Sequence, residues 1–372
     1  MTKLSITWRW LLAIILISSP NLLLAKSKIS YFPSTTLNYS PLDASSYQYS
    51  ASESTGYGES FYFNSYDDHG NVITALISIT NYNPFNKGMG SFDINWIENN
   101  KVRTVHEEFD ANEIHQNTKN GTQFGKYSYI NVKELSSEIY YRGQDTKGND
   151  VEIRIDIQNT ENGIQSGDSY LYLNNKKEDF WGLKMIAPQA EVTASLKSKE
   201  NTKTLTLRGY LDHGNATAKV PDFSDHWYRL IYLSEDWTIN LHEITPEMRY
   251  GKRKPQMLYL AKNHQPIGMY ADWEYQDAGF EDHEDSPHDP PTQWTLKLER
   301  KNIKVSGTVK RRNEVLAIDM LSSVNWFTRV LVKALYSNAW QHYFLVDVDL
   351  IIEYKGSQEQ VKGVGIATAE YY

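Results

Sequence analysis

Val151, Ile153, Ile155 and Ile157 alternate with Glu152, Arg154 and Asp156, and a two-residue period of this kind recurs along most of the chain. Successive side chains of an extended strand point to opposite sides, so such a run buries one face and wets the other. No helix does this at that spacing. Similar runs are Phe61–Tyr66, Val72–Thr80, Phe92–Glu98 and Lys126–Val132, then Thr204–Leu211, Trp227–Leu233, Trp237–Ile244, Met257–Ala261, Ile267–Tyr275, Trp294–Arg300, Ile303–Val309 and Val315–Met320. Asp68-His69-Gly70-Asn71 and Thr146-Lys147-Gly148-Asn149 supply the left-handed glycine and side-chain acceptors that tight hairpin turns need. The pattern predicts an all-β protein built from antiparallel meanders.

The chain has 372 residues, too many for one ordinary β domain and suited to two. The stretch from Trp181 to Ala190 contains Pro188 and lacks clear alternation, which places a boundary near 190, with domains at 26–190 and 191–372. Residues 1–25 read as an export signal: Lys3 and Arg9 precede an apolar run from Trp10 to Ile17, and a second apolar run leads to Ala25. Residues 26–56, rich in Ser and Tyr, read as an extended lead-in. One helix is expected, over about Ser323 to Gln341, because Phe327, Val330, Leu331, Ala334 and Leu335 recur at helical spacing. Strands at Val346–Tyr354 and Val361–Thr368 then close the second domain.

A formal net charge of −8 leaves no basic field for a phosphate backbone, so nucleic acid is not an expected partner. The absence of cysteine suits a periplasmic or secreted location, where an unpaired thiol is a liability, and requires the fold to hold without disulfides. No segment after the leader carries the ~20 apolar residues of a spanning helix, so membrane contact is expected only through the leader or during ligand exchange. Aromatic usage is high, with 26 Tyr and 10 Trp, as pleated sheets and pocket walls favour.

Chemistry concentrates at Gly209-Tyr210-Leu211-Asp212-His213-Gly214-Asn215, followed by Pro221 and Trp227. A carboxyl group in an aromatic-walled, dry lumen stays protonated and can donate to a carbon–carbon double bond or a carbonyl. Strand alternation turns Asp212 and His213 to opposite faces, so both reach one lumen only across a bulge. The bland alternative makes Asp212 a turn cap and His213 a backbone partner. The run Glu281-Asp282-His283-Glu284-Asp285 with His288 and Asp289 has metal-ligating residue types, but it lies between Gly279 and Pro290-Pro291 and reads as a solvated loop, so no metal is assigned. His242 falls with Thr238 and Asn240 on the polar side of its strand, a side that can line a lumen but more often faces water. No nucleotide loop, zincin helix or nucleophile elbow is present, and no cofactor is expected.

The run Tyr210-Leu211-Asp212-His213, then Pro221 and Trp227, resembles the Asp-His motif of the lipocalin-like superfamily that includes carotenoid 1,2-hydratases, lipocalin-like Diels–Alderases and the fungal survival factor. Glu59-Ser60-Phe61-Tyr62-Phe63, Trp181-Gly182 with Pro188, and the expected helix leading into Val346-Asp347-Val348 extend the likeness over most of residues 59–372. The hydratase continuation Asn-Trp-Gly is replaced here by Gly214-Asn215-Ala216, and the survival-factor branch, linked to oxidative-stress survival, is the nearer likeness. The resemblance implies two tandem lipocalin-like antiparallel barrels, with one late helix in the second and a hydrophobic cavity near their junction. The expected role is an exported carrier of a lipid or isoprenoid-like ligand, its cavity walled by Tyr210, Trp227, Tyr232, Trp237, Tyr270 and Trp273. The alternative is a cofactor-independent hydratase, cyclase or isomerase that protonates a hydrophobic alkene through Asp212, with His213 orienting it or relaying the proton.

Overall fold

A computed structural model of the chain describes residues 36–50, 56–81, 88–99, 101–117, 121–173, 178–199, 201–217, 220, 223–250, 254–320 and 339–372. The expected leader and most of the expected late helix, over 321–338, lie outside the described residues. Trp340 and Gln341, at the end of that helix reading, belong to the strand Trp340–Tyr354. Among the described residues all strand pairings are antiparallel, and they form one 13-stranded and one 10-stranded sheet, each curled about its own core. This is the all-β antiparallel architecture expected from the alternation.

The predicted hairpin turns are in place. Asp67 accepts the backbone N–H groups of His69 and Asn71, with Gly70 left-handed, between the strands Gly58–Tyr66 and Val72–Thr80. Asp145 does the same for Lys147 and Asn149 between Ser136–Gln144 and Asp150–Asn159. Position 190 lies inside the long strand Phe180–Ser198, which forms a hairpin with Asn201–Ala216 in the first sheet. Alternation fails around Pro188 because the pairing shifts register between Met185 and Ala190, the irregularity at which a sheet tolerates proline. The chain passes to the second sheet between Ala216 and Ser224, and not at 190. The lead-in also contributes structure, since Thr36–Leu37 pairs with the second sheet and Tyr39–Pro41 with the first.

Three cores result. Phe61, Phe63, Phe92, Phe124 and the Val151–Ile157 row fill the inside of the first sheet. Tyr228, Leu230, Ile239, Leu241, Leu258 and Phe344 fill the inside of the second, where the remaining void of about 20 Å3 has room for about one water. The outer faces then pack on each other through Tyr62, Tyr66, Trp181, Tyr210, Trp227, Ile231, Tyr259 and Tyr343. A polar seam crosses this third core. Tyr66 accepts the Leu233 N–H at 2.8 Å, Asn240 donates to the Pro188 carbonyl at 3.0 Å, and Tyr259 donates to Glu161 at 2.9 Å. The polar side of Trp237–Pro246, expected in water, therefore faces the other sheet: Thr238, Asn240 and His242 are all buried.

Candidate active site between the sheets

The strand Asn201–Ala216 sends alternate residues to two different cores. Leu211 points inside the first sheet and Tyr210 points between the sheets. Asp212 shares the side of Tyr210 and lines a cavity of about 240 Å3 between the sheets, with Tyr62, Leu76, Trp181, Leu183, Trp227 and Arg229 among its walls. His213 takes the opposite side, where it stacks on Phe61 at 4.2 Å. Its Nε2 lies 2.7 Å from Glu59 and its Nδ1 lies 2.8 Å from the Ser46 carbonyl oxygen. Both neighbours are hydrogen-bond acceptors. Burial raises the Glu59 carboxyl, but the His213 hydrogen bond and charge, the Ser50 N–H and the Tyr57 hydroxyl together hold it below its usual value. The Asp-His pair is thus divided by the strand, with Asp212 at the cavity and His213 in a structural ion pair. No bulge brings the two to one face.

Burial is the largest influence on Asp212 and pushes its pKa up to about 6, against the opposing charge of Arg229 and the Tyr210 hydroxyl. Its Oδ2 has no hydrogen-bond partner among the described residues. Arg229 comes from the facing strand Ser224–Leu233, where Trp227, Arg229 and Ile231 share the side turned to the first sheet. Its guanidinium carbon sits 4.0 Å from the Trp227 ring centre and 4.2 Å from that of Tyr62, and its Nη2 is 3.2 Å from Glu370. Glu370 is held in turn by Gln341 at 3.1 Å and by the Tyr372 hydroxyl. The Trp181 and Trp227 rings meet edge to face at 4.8 Å. Behind Tyr210, His242 lies with Nε2 3.4 Å from the hydroxyl, and burial with the Arg229 charge drives its pKa well below the usual imidazole range.

Of the six aromatic residues expected at the cavity, Trp227 lines it and Tyr210 packs directly behind it. Tyr232, Trp237, Tyr270 and Trp273 instead fill the inside of the second sheet, and Tyr232 and Trp237 are tied there to the Lys362 carbonyl and Glu359. Sequence reasoning gave no role to Arg229, Glu370 or Tyr62. The available signal was Arg229 itself, a cation in phase with Trp227 and Ile231 in an otherwise apolar strand.

A second cluster joins His283, Glu314 and His342, whose ligand atoms lie within 4.8 Å of one another. His283 Nδ1 accepts the N–H groups of Asp285 and Ser286, so its proton sits on Nε2, which donates to Glu314 at 2.9 Å. His342 donates from Nδ1 to Glu314 at 2.6 Å and meets the Ser286 hydroxyl through Nε2 at 3.2 Å. A metal on His283 Nε2 would need the ring proton on Nδ1, against two backbone donors. The donor set therefore fits a proton network anchoring the acidic loop better than a cation site.

No family model matches the sequence, and no curated protein is detectably similar to it. Solved structures do share its fold. CghA crystallised with Sch210972 superposes with a TM-score of 0.61 at 10% identity, over 94% of this chain and 97% of that one. CghA without that molecule gives 0.56 at 10% identity over the same shares. An AttH-like protein of Nitrosomonas europaea gives 0.58 at 9% identity, over 84% and 92%. At these identities the likeness establishes the fold, a lipocalin-like pair of sheets along nearly the whole chain.

Proposed function

We propose that the protein is a cofactor-independent acid–base enzyme, a hydratase, cyclase or isomerase, that acts on a small hydrophobic alkene held between the two sheets, with Asp212 as the proton donor. One observation carries the reading: a buried carboxyl group with a free oxygen and a pKa raised to about 6 borders a largely apolar cavity. His213, bound to Glu59, acts as a structural support of the strand and not as a relay. A carrier would set plain apolar groups against its cargo; a buried acid with its pKa raised to about 6, beside a guanidinium, favours chemistry over storage. The shared fold with CghA, crystallised with a small molecule, supports a ligand-binding reading. The cavity volume falls below the ~300–1,000 Å3 of most ligand pockets, which favours a substrate of monoterpene size or one end of a longer molecule. Export and kinship with the survival-factor branch belong to this proposal as expected from the sequence.

The test is incubation with geraniol in D2O, followed by mass spectrometry. Wild type is expected to incorporate deuterium at a former alkene carbon, and Asp212→Asn to retain geraniol without incorporation. Retention without turnover by the wild type would restore the carrier role. Neither retention nor turnover would count against both.

A further inference from the structure

Toward one end of the first sheet, the phase that builds its core turns from apolar to charged. In the strand Met89–Glu98 that phase runs through Phe92, Ile94 and Trp96 to Glu98, and in its neighbour Lys101–Phe109 it runs from Val105 back to Arg103 and Lys101. In the hairpin of Phe180–Ser198 with Asn201–Ala216 it passes from Leu196 to Ser198 on one strand, and from Leu205 to Lys203 and Asn201 on the other. Residues directly opposite each other on antiparallel strands share a side of the sheet, so Arg103 lies on the side of Trp96 and Lys203 on the side of Leu196. Here the core gives way to a cavity of about 580 Å3, lined by these residues together with the turn that carries Asp145, Lys147 and Asn149. It is more than twice the size of the cavity between the sheets and falls within the ~300–1,000 Å3 of most ligand pockets.

Four cations and two carboxylates border this cavity, and both carboxylates are already engaged. Glu98 pairs with Lys203 at 2.7 Å. Asp145 accepts the Lys147 and Asn149 N–H groups and the Asn149 side-chain amide, and lies 3.3 Å from Arg103 Nη1. Lys101 and Lys147 are exposed and have no ion-pair partner among the described residues. Four positive charges against two negative ones leave two in excess, in a chain whose net charge is −8. We propose that this mouth is a second binding site, separate from that of Asp212, and that it takes a small organic anion, a carboxylate carried on a hydrocarbon body. A cation would find both carboxylates answered and two free ammonium groups beside it. A carboxylate gives Lys101 and Lys147 their missing partner, and the concave wall makes each attraction worth more than on an open surface. Trp96, Val102, Leu196 and the aliphatic stems of the lysines supply apolar lining for the body, which a bare inorganic anion would leave unused.

The experiment is calorimetric titration of the full chain with 2-naphthoate and with 2-naphthamide, two ligands of like shape that differ in charge, at about pH 7, where the acid is ionised. At low salt the anion is expected to bind at least about fivefold more tightly, the combined worth of two partly exposed ion pairs, and about 0.5 M NaCl is expected to remove the difference. Lys101→Gln together with Lys147→Gln changes two exposed positions and leaves the core intact. The double variant is expected to bind the anion no better than the amide, while Asp212→Asn keeps the wild-type preference. Equal affinities in the wild type, or binding of neither ligand, would overturn the anion site. A preference that survives the double substitution would overturn it as well, because the anion would then sit elsewhere. None of these results bears on deuterium incorporation at the Asp212 cavity, so the two readings fail separately.

Discussion

Replacing Asp212 by Asn converts an ionisable buried group into a neutral one of nearly the same shape, and its effect on stability is predicted to change with pH. In the unfolded chain this carboxyl titrates near 3.8, and in the folded protein near about 6. Below the lower value it is neutral in both states and exerts no pH effect. As pH rises between the two values, the unfolded state loses its proton first, so the folded state is progressively disfavoured. Above about 6 the native protein carries a buried carboxylate, and the loss is complete. A shift of about two pKa units corresponds to about 3 kcal/mol, of which about 2.5 kcal/mol develops between about pH 4 and about pH 8. The amide of the Asp212→Asn variant cannot ionise, so that protein escapes this loss. Urea unfolding of both proteins at the two pH values measures it, and taking the difference between them cancels every other titrating group. The variant is expected to gain about 2.5 kcal/mol on the wild type as pH is raised, whatever constant offset the amide introduces. A difference that stays the same at both pH values would refute the burial of an ionisable Asp212 between the sheets.

The same acid sets the pH profile of turnover: kcat/KM on any substrate is expected to fall as pH rises through about 6, and a rate that is flat or rising there would remove Asp212 as the donor. Glu59→Gln breaks a buried pair from one side and is expected to cost about 3–5 kcal/mol in denaturant unfolding; a cost below about 1 kcal/mol would contradict the pairing. Trp237→Ala, inside the second sheet, is expected to cost about 3–5 kcal/mol without altering ligand affinity; a selective loss of affinity would place the ligand inside that sheet. Glu314→Gln replaces one of the two carboxylate oxygens that accept from His283 and His342 by an NH2 donor, and faster proteolysis of the 279–292 loop is the expected readout.

The strands were legible where apolar and polar residues alternate. The run Asp150–Asn159 carries its alternation through Ile157, the runs Val72–Thr80 and Trp237–Pro246 carry most of theirs, and the turns before the first two announce themselves through Asp67 and Asp145. What alternation leaves open is which dry surface a face meets. Trp237 and His242 lie on one strand in opposite phase, and the polar phase meets another sheet where the pattern alone points to water. The same ambiguity explains why Trp227 lines the cavity while Tyr232 lies inside a core: they differ in phase along one strand, and both phases are buried. Pro188 hid the longest strand because a bulge erases the local period. The Arg229–Glu370 pair joins strands far apart in the chain, and its geometry arises only when the second sheet closes. Asp212 could be singled out because a carboxyl group flanked by glycines and aromatics is unusual in a strand, and its division from His213 follows from the two-residue period.

The central claim is that the functional cavity lies between the sheets, with the inside of each sheet occupied by its own side chains. Photolabelling with a small hydrophobic diazirine, followed by peptide mapping, tests this most directly. The label is expected on the segments carrying Tyr62, Trp181, Asp212 and Trp227, with competition by geraniol. Labelling confined to Phe92 and Phe124, or to Trp237, Tyr270 and Trp273, would place the ligand inside a sheet and contradict the account.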